Sequence, residues 1–168
     1  YIEAEVQCVV SNNPKAYGIE RAKSAGIKTI ILDHKNYISR DLFDADLYDI
    51  LMQHEADLIV LAGFMRILTS KITENFYGKI INIHPSLLPK YPGLNTHEQV
   101  INNKDPIHGV SIHYVSSELD EGPLIAQGEI KTLGDDIDSL IKRIHKLEHK
   151  IYPEIIKLIC NNDIGIDS

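Results

Sequence analysis

Residues 57–84, DLIVLAGFMRILTSKITENFYGKIINIH, contain the pattern on which the fold turns. DLIVLAG is continuously apolar and of strand length, so it reads as a central parallel strand buried on both faces. KIINIH is a second strand, and a short helix is expected between them at residues 70–76. The stretch is therefore a β–α–β crossover.

Upstream of it the same alternation repeats. Residues 4–10, AEVQCVV, read as a short strand, after which Asn13 is placed to cap a helix and Pro14 suits its first turn. That helix is expected to run through Ala25 and stop at Gly26, ahead of a second strand, KTIIL. A longer helix over residues 39–54 places Leu42, Leu47, Ile50 and Leu51 on one side.

Downstream, a proline-containing loop covers residues 85–93 and a helix follows at residues 96–102. Two extended runs, HGVSIHY and GPLIAQGEI, flank SSELDEG and predict antiparallel strands added to an otherwise parallel sheet. The last helix, from about Ile137, carries Leu140, Ile144, Leu147 and Ile151 at helical spacing, with Pro153 expected to kink or restart it. The expected fold is doubly wound α/β, a mostly parallel mixed sheet with antiparallel strands in the C-terminal half. Residues 1–168 form a single expected domain, a length sufficient for a core without disulfide or metal staples.

Composition narrows the function. With 24 Asp and Glu against 17 Lys and Arg, the chain lacks the positive excess of a nucleic-acid surface. A small anionic substrate is compatible, since backbone N–H groups at a helix start can hold one phosphate. Cys8 and Cys160 are the only cysteines and have no metal-ligand spacing, which fits a reducing cytoplasm. No run is apolar enough to span a bilayer, so neither membrane nor nucleic acid is an expected partner. No signal for oligomeric state is legible.

In a doubly wound fold, ligands bind beyond the carboxyl ends of the strands. Asn82 and His84 lie two apart near the end of KIINIH, so both point to one face, and Pro85 then stops the ladder. An amide and an imidazole there can bind a carbonyl oxygen and move a proton, as acyl or formyl transfer requires. A strand end with two satisfied polar groups would have the same spacing. Asp120, in SSELDEGP, reads as part of a solvated acidic turn unless the loop folds over the crevice. In that case its carboxylate, beside His84, would favour the imidazolium. His84, His97, His108 and His113 match no zinc pattern, with His108 and His113 expected on opposite strand faces, so no metal is expected. Ser86 lacks a nucleophile elbow, and no glycine-rich dinucleotide or Walker-type loop is present.

The string NIHPSLLPKYPGLNTH, residues 82–97, resembles the signature of the glycinamide ribonucleotide formyltransferases, and LAGFMRIL and HYVSSELDEGP resemble its companion blocks. The resemblance extends over residues 9–153. It implies transfer of a formyl group from 10-formyltetrahydrofolate to glycinamide ribonucleotide, with Asn82, His84 and Asp120 as the catalytic trio. It also implies folate contacts at Met65, Arg66, Ile67, Leu68, Asn82, Ser116, Ser117, Glu118, Leu119 and Asp120, with Arg40 near the folate's glutamate tail. His145, Lys146, Leu147 and Glu148 would face the nucleotide, Glu148 accepting ribose hydroxyls. Glu148 lies four residues beyond Ile144, at the border of the buried stripe. Ser111 and His113 fall in a family-like block near the site. The resemblance further implies a preceding strand and phosphate-binding loop, so the natural protein is expected to be longer than this chain, which begins at Tyr1. The related hydrolase would use water in place of the amine, its motif differing after the His; the related tRNA formyltransferase needs a further C-terminal domain and positive charge. A noncatalytic ligand-binding relic is the remaining alternative.

Overall fold

Antiparallel pairing in the C-terminal half decides which side chains meet. In the computed structural model, which describes residues 2–132 and 134–166, strand β4 (Ile80–His84) pairs antiparallel with β5 (Ile107–Tyr114), and β5 with β6 (Leu124–Lys131). On its other side β4 runs parallel to β3 (Ile59–Leu61), giving the order β3-β4-β5-β6. Asn82 stands opposite His113, and His84 opposite Ser111. Side chains alternate along a strand, so these four share one face. The other face carries Ile81 and Ile83 against Tyr114 and Ile112.

Helix α5 (Ile137–Cys160) covers the apolar face: Tyr152 packs with Ile81, Ile112 and Tyr114, and Leu140 and Ile144 pack with Val110 and with Val100 of α4 (Thr96–Asn102). Ile81, Ile112, Leu140 and Ile144 are fully excluded from solvent. Each such side chain contributes about 1.5–3 kcal/mol of burial free energy. Asp136 caps α5 by accepting the Ser139 N–H at 2.8 Å. The helix does not restart at Pro153 but runs unbroken to Cys160; proline's missing N–H removes one bond of the ladder without ending it.

These elements belong to one compact unit, residues 58–166 with the first few residues of the chain; residues 4–57 form another. In the smaller unit β1 (Val9–Ser11) and β2 (Thr29–Ile31) pair in parallel, joined by α1 (Tyr17–Ser24) and followed by α2 (Arg40–His54). The Ser39 hydroxyl caps α2, accepting the Leu42 N–H at 3.3 Å. The expected single domain also includes Tyr1, Leu133, Asp167 and Ser168, which lie outside the described residues.

Several sequence expectations need correction. The strand expected over residues 4–10 is only Val9–Ser11: its ladder partner among the described residues, β2, pairs with those three, and Val6 is exposed. Asn13 does not cap a helix: its Oδ1 accepts the Lys15 N–H at 2.9 Å in a turn, and α1 starts at Tyr17 with Ala16 as its cap. On α2 the buried positions are Phe43, Asp44 and Leu47, whereas Leu42 is 49% exposed. Phe43 and Leu47 are four apart and share the inner stripe; Leu42 falls on the flank. DLIVLAG is not buried on both faces, since β3 lies at one end of its sheet and Val60 is 41% exposed.

Candidate functional site

The carboxyl end of β4 opens into a cavity of about 1020 Å³, walled by the segment after β3, by residues 93–98, by the loop between β5 and β6, and by one face of α5. Asn82 and His84, on one face of β4, both border it, and Ile83 between them lines it too. His84 is 6% exposed, and its Nε2 lies 2.9 Å from the Tyr91 carbonyl. A carbonyl only accepts, so Nε2 carries hydrogen and Nδ1 is the nitrogen that can gain or lose a proton.

That nitrogen faces Asp120, whose Oδ2 is 3.5 Å away. The loop between β5 and β6 turns the Asp120 side chain into the site, 8% exposed, while Ser117, Glu118 and Leu119 remain exposed. Asp120 sits in the left-handed region at φ 54°, and Gly122 presses against β5, where a side-chain carbon would meet the Tyr114 carbonyl at 1.7 Å. Only glycine permits that approach. The Gly93 N–H donates to the same Asp120 oxygen at 2.9 Å. Burial pushes the Asp120 carboxyl up, but the His113 side chain, the Gly93 N–H and charge on His84 outweigh burial and hold it below the ordinary carboxylate range.

His113 is the partner that sequence reasoning left with an uncertain role. Its Nδ1 donates to the Tyr114 carbonyl at 2.9 Å. Its Nε2 lies 3.6 Å from Asp120 Oδ1 and 3.4 Å from Asn82 Nδ2. Asp120 is therefore bracketed by two imidazoles, one on each oxygen. The Asn82 amide nitrogen carries two N–H groups, so one remains for a cavity oxygen beside the contact with His113. The antiparallel register Asn82↔His113 creates this contact, and it is invisible until the pairing is known.

Met65, Arg66, Ile67 and Leu68 border the cavity, as do Ser116, Glu118 and Leu119; Ser117 does not. On α5, His145 and Glu148 border it, but Lys146 is exposed and Leu147 packs against the core around Val110 and Leu140. A four-residue run cannot all face one way on a helix. The face continues instead to His149 and Tyr152, which the sequence reading omitted although their spacing of four from His145 and Glu148 signals them. Burial pushes the Glu148 carboxyl up, opposed by His145 and His149. Tyr152 donates its hydroxyl hydrogen to the Leu61 carbonyl at 2.8 Å, with the Ile81 carbonyl at 3.3 Å, tying α5 to the last residue of β3 and to β4. Arg40 is the first residue of α2 in the smaller unit and is exposed.

A second imidazole pair lies near the cavity: His97 Nδ1 is 2.9 Å from His108 Nε2, with the rings edge to face. Burial is the main cause lowering both, His108 to about 4. Among the described residues no group of His, Cys, Asp and Glu is arranged to hold a metal ion. No described helix is long and apolar enough to cross a membrane.

Comparison with known proteins places this arrangement. The formyl transferase family model matches residues 1–156. Phosphoribosylglycinamide formyltransferase of Escherichia coli (strain K12) is 45% identical over 156 residues, which span 92% of this chain and 74% of that protein. The trifunctional purine biosynthetic protein adenosine-3 of Drosophila melanogaster is 42% identical over 161 residues, 95% of this chain but 12% of that protein. Among solved structures, phosphoribosylglycinamide formyltransferase from Coxiella burnetii superposes with a TM-score of 0.91 at 44% identity, covering 98% of this chain and 78% of that one. Glycinamide ribonucleotide transformylase 1 from Symbiobacterium toebii gives a TM-score of 0.91 at 40% identity, covering 96% and 76%.

Proposed function

The chain belongs to the formyl transferase family, and on that premise we propose that it transfers a formyl group from 10-formyltetrahydrofolate to the amine of glycinamide ribonucleotide in purine biosynthesis. The single observation that carries the reading to these residues is the meeting of Asp120 with His84 at 3.5 Å beside the Asn82 amide, at the cavity mouth of β4.

The amine nitrogen attacks the formyl carbon, and negative charge grows on the formyl oxygen. Asn82, through its amide N–H, and His84, through its ring, receive that charge. Asp120 holds and orients His84. The carbon–nitrogen bond to the folate then breaks, and the proton lost by the attacking amine passes, through water, to the departing folate nitrogen. A cavity of about 1020 Å³ is large enough for both reactants to meet.

Met65 through Leu68, Ser116, Glu118 and Leu119 border the cavity where the folate would lie, and Arg40 is assigned to the glutamate tail. On α5 the nucleotide side falls to His145 and Glu148, which border the cavity, the latter accepting ribose hydroxyls; Lys146 and Leu147 do not border it. The chain acts as one formyltransferase domain on small molecules in the cytoplasm, without metal, nucleic acid or membrane; the family match over residues 1–156 supports the formyltransferase part of this.

The test is deformylation of 10-formyltetrahydrofolate with and without glycinamide ribonucleotide. Turnover that requires the amine is expected. Turnover independent of the amine would replace transfer with hydrolysis, and none at all would leave a binding protein.

A further inference from the structure

His84 and Asp120 share a support that neither provides. Residues 85–93 touch both: the Tyr91 carbonyl accepts from His84 Nε2 at 2.9 Å, and the Gly93 N–H donates to Asp120 at 2.9 Å. A connecting segment sets two reacting groups accurately only if it is itself held.

The sheet beneath supplies the hold. His84 pairs with Ser111 and Ser111 with Gln127, so the three stand on one rung across β4, β5 and β6, on the same face. The segment crosses back over this rung. Ser111 Oγ donates to the Ser86 carbonyl at 2.7 Å and accepts the Leu88 N–H at 2.9 Å. Gln127 Nε2 donates to the Leu88 carbonyl at 2.9 Å and to Ser111 Oγ at 2.8 Å.

This network has no slack. A hydroxyl offers one hydrogen and two lone pairs, and all three are used on Ser111, which is fully buried along with Ser86. Both hydrogens of the Gln127 amide are used as well, and the orientation is unambiguous because the Leu88 carbonyl can only accept. Further along, the Ser86 hydroxyl donates to the Lys90 carbonyl at 2.6 Å, and the Tyr91 hydroxyl to Asp105 at 2.8 Å. Neither Ser111 nor Gln127 borders the cavity.

We infer that Ser111 and Gln127 form a clasp that fixes residues 85–93 and thereby positions His84 and Asp120 for formyl transfer. Both are positioning residues, and the inference rests on the reaction proposed above. Losing the clasp lets the Tyr91 carbonyl and the Gly93 N–H drift, so the transition state suffers while the ligand-binding walls stay intact.

The variants are Gln127→Met, Gln127→Glu and Ser111→Ala, each assayed for kcat and KM and, without any ligand, for hydrogen exchange of the Gly93 amide. For Gln127→Met, kcat falls about threefold to tenfold, the rate equivalent of one neutral hydrogen bond, with KM for both substrates nearly unchanged. Gln127→Glu falls at least as far, because a carboxylate cannot donate to the Leu88 carbonyl. Ser111→Ala falls further, since it removes both the donor and the acceptor for the segment. Exchange at Gly93 quickens in every case. Native kcat in both Gln127 variants, a loss confined to KM, or unchanged Gly93 exchange would overturn the inference. Should Ser111→Ala not fold, the Gln127 pair decides, because that side chain borders solvent. If the native protein transfers no formyl group, the proposed function fails separately, and Gly93 exchange alone judges the clasp.

Discussion

Two imidazole pairs lie within a few strand positions of each other and behave differently. His84 and His113 never touch; Asp120 stands between them, an oxygen toward each, and is itself held ionised. His97 and His108 meet directly, and burial lowers the proton affinity of both. The charge of Asp105 opposes the lowering of His108 but does not overcome it. Asp120 sets a charged partner between the first two rings. Where two rings meet without one, the low-dielectric interior disfavours their charged forms.

Replacing the bridging carboxylate breaks the contrast most severely. Asp120→Asn keeps the shape and removes the charge, so kcat is expected to fall about 10²- to 10⁴-fold with little change in KM. Steady-state kinetics with both substrates checks this, and a loss borne by KM would assign Asp120 to binding instead.

The neutral pair should instead reveal itself in acid. Unfolded, His108 binds a proton below its ordinary 6.5; folded, it does not until about pH 4. The unfolded chain therefore holds more protons throughout that interval, and stability is lost as pH falls through it. His108 contributes a loss on the order of 3 kcal/mol by pH 4. Urea unfolding at a series of pH values should give a shallower slope over this range in His108→Gln than in the native protein. Equal slopes would show that the ring is protonated in the fold.

A control outside both pairs is Tyr152→Phe. It should lower stability by about 1–2 kcal/mol, from the lost bond to the Leu61 carbonyl, while leaving the acid slope as it was. The smallest effect is expected from Asp105→Asn, which removes the opposing charge but keeps an acceptor for Tyr91. The His108 titration, followed by proton NMR, should move still lower, by less than about one pH unit. A rise would mean that Asp105 acts on the ring in some other way.

The part of this centre legible from sequence was the part that depends on local periodicity. Alternation along KIINIH put Asn82 and His84 on one face, and Pro85 marked the strand's end. The two extended runs of β5 and β6 were likewise legible as strands flanking a polar turn. What escaped notice depends on partners remote in sequence. The first strand is cut to three residues by the length of its neighbour, and Val60 is exposed because β3 ends its sheet. The approach of Asp120 needs a left-handed residue and a glycine against β5, and His113 enters only through the antiparallel register. Gln127 is further removed, reaching the site through a hydroxyl on another strand and a backbone carbonyl.

The division of the β4–β5 faces has a consequence for how such a chain can vary. Apolar and reactive side chains are interleaved at every second position, so losing or gaining one residue ahead of Asn82 in β4 would move the carboxamide and imidazole to the face that packs on α5. Substitution can explore either side of the sheet independently, but changes of length cannot. Lengthening and shortening should therefore be confined to the connections, with the count of residues between Ile80 and His84 held constant wherever the chemistry survives.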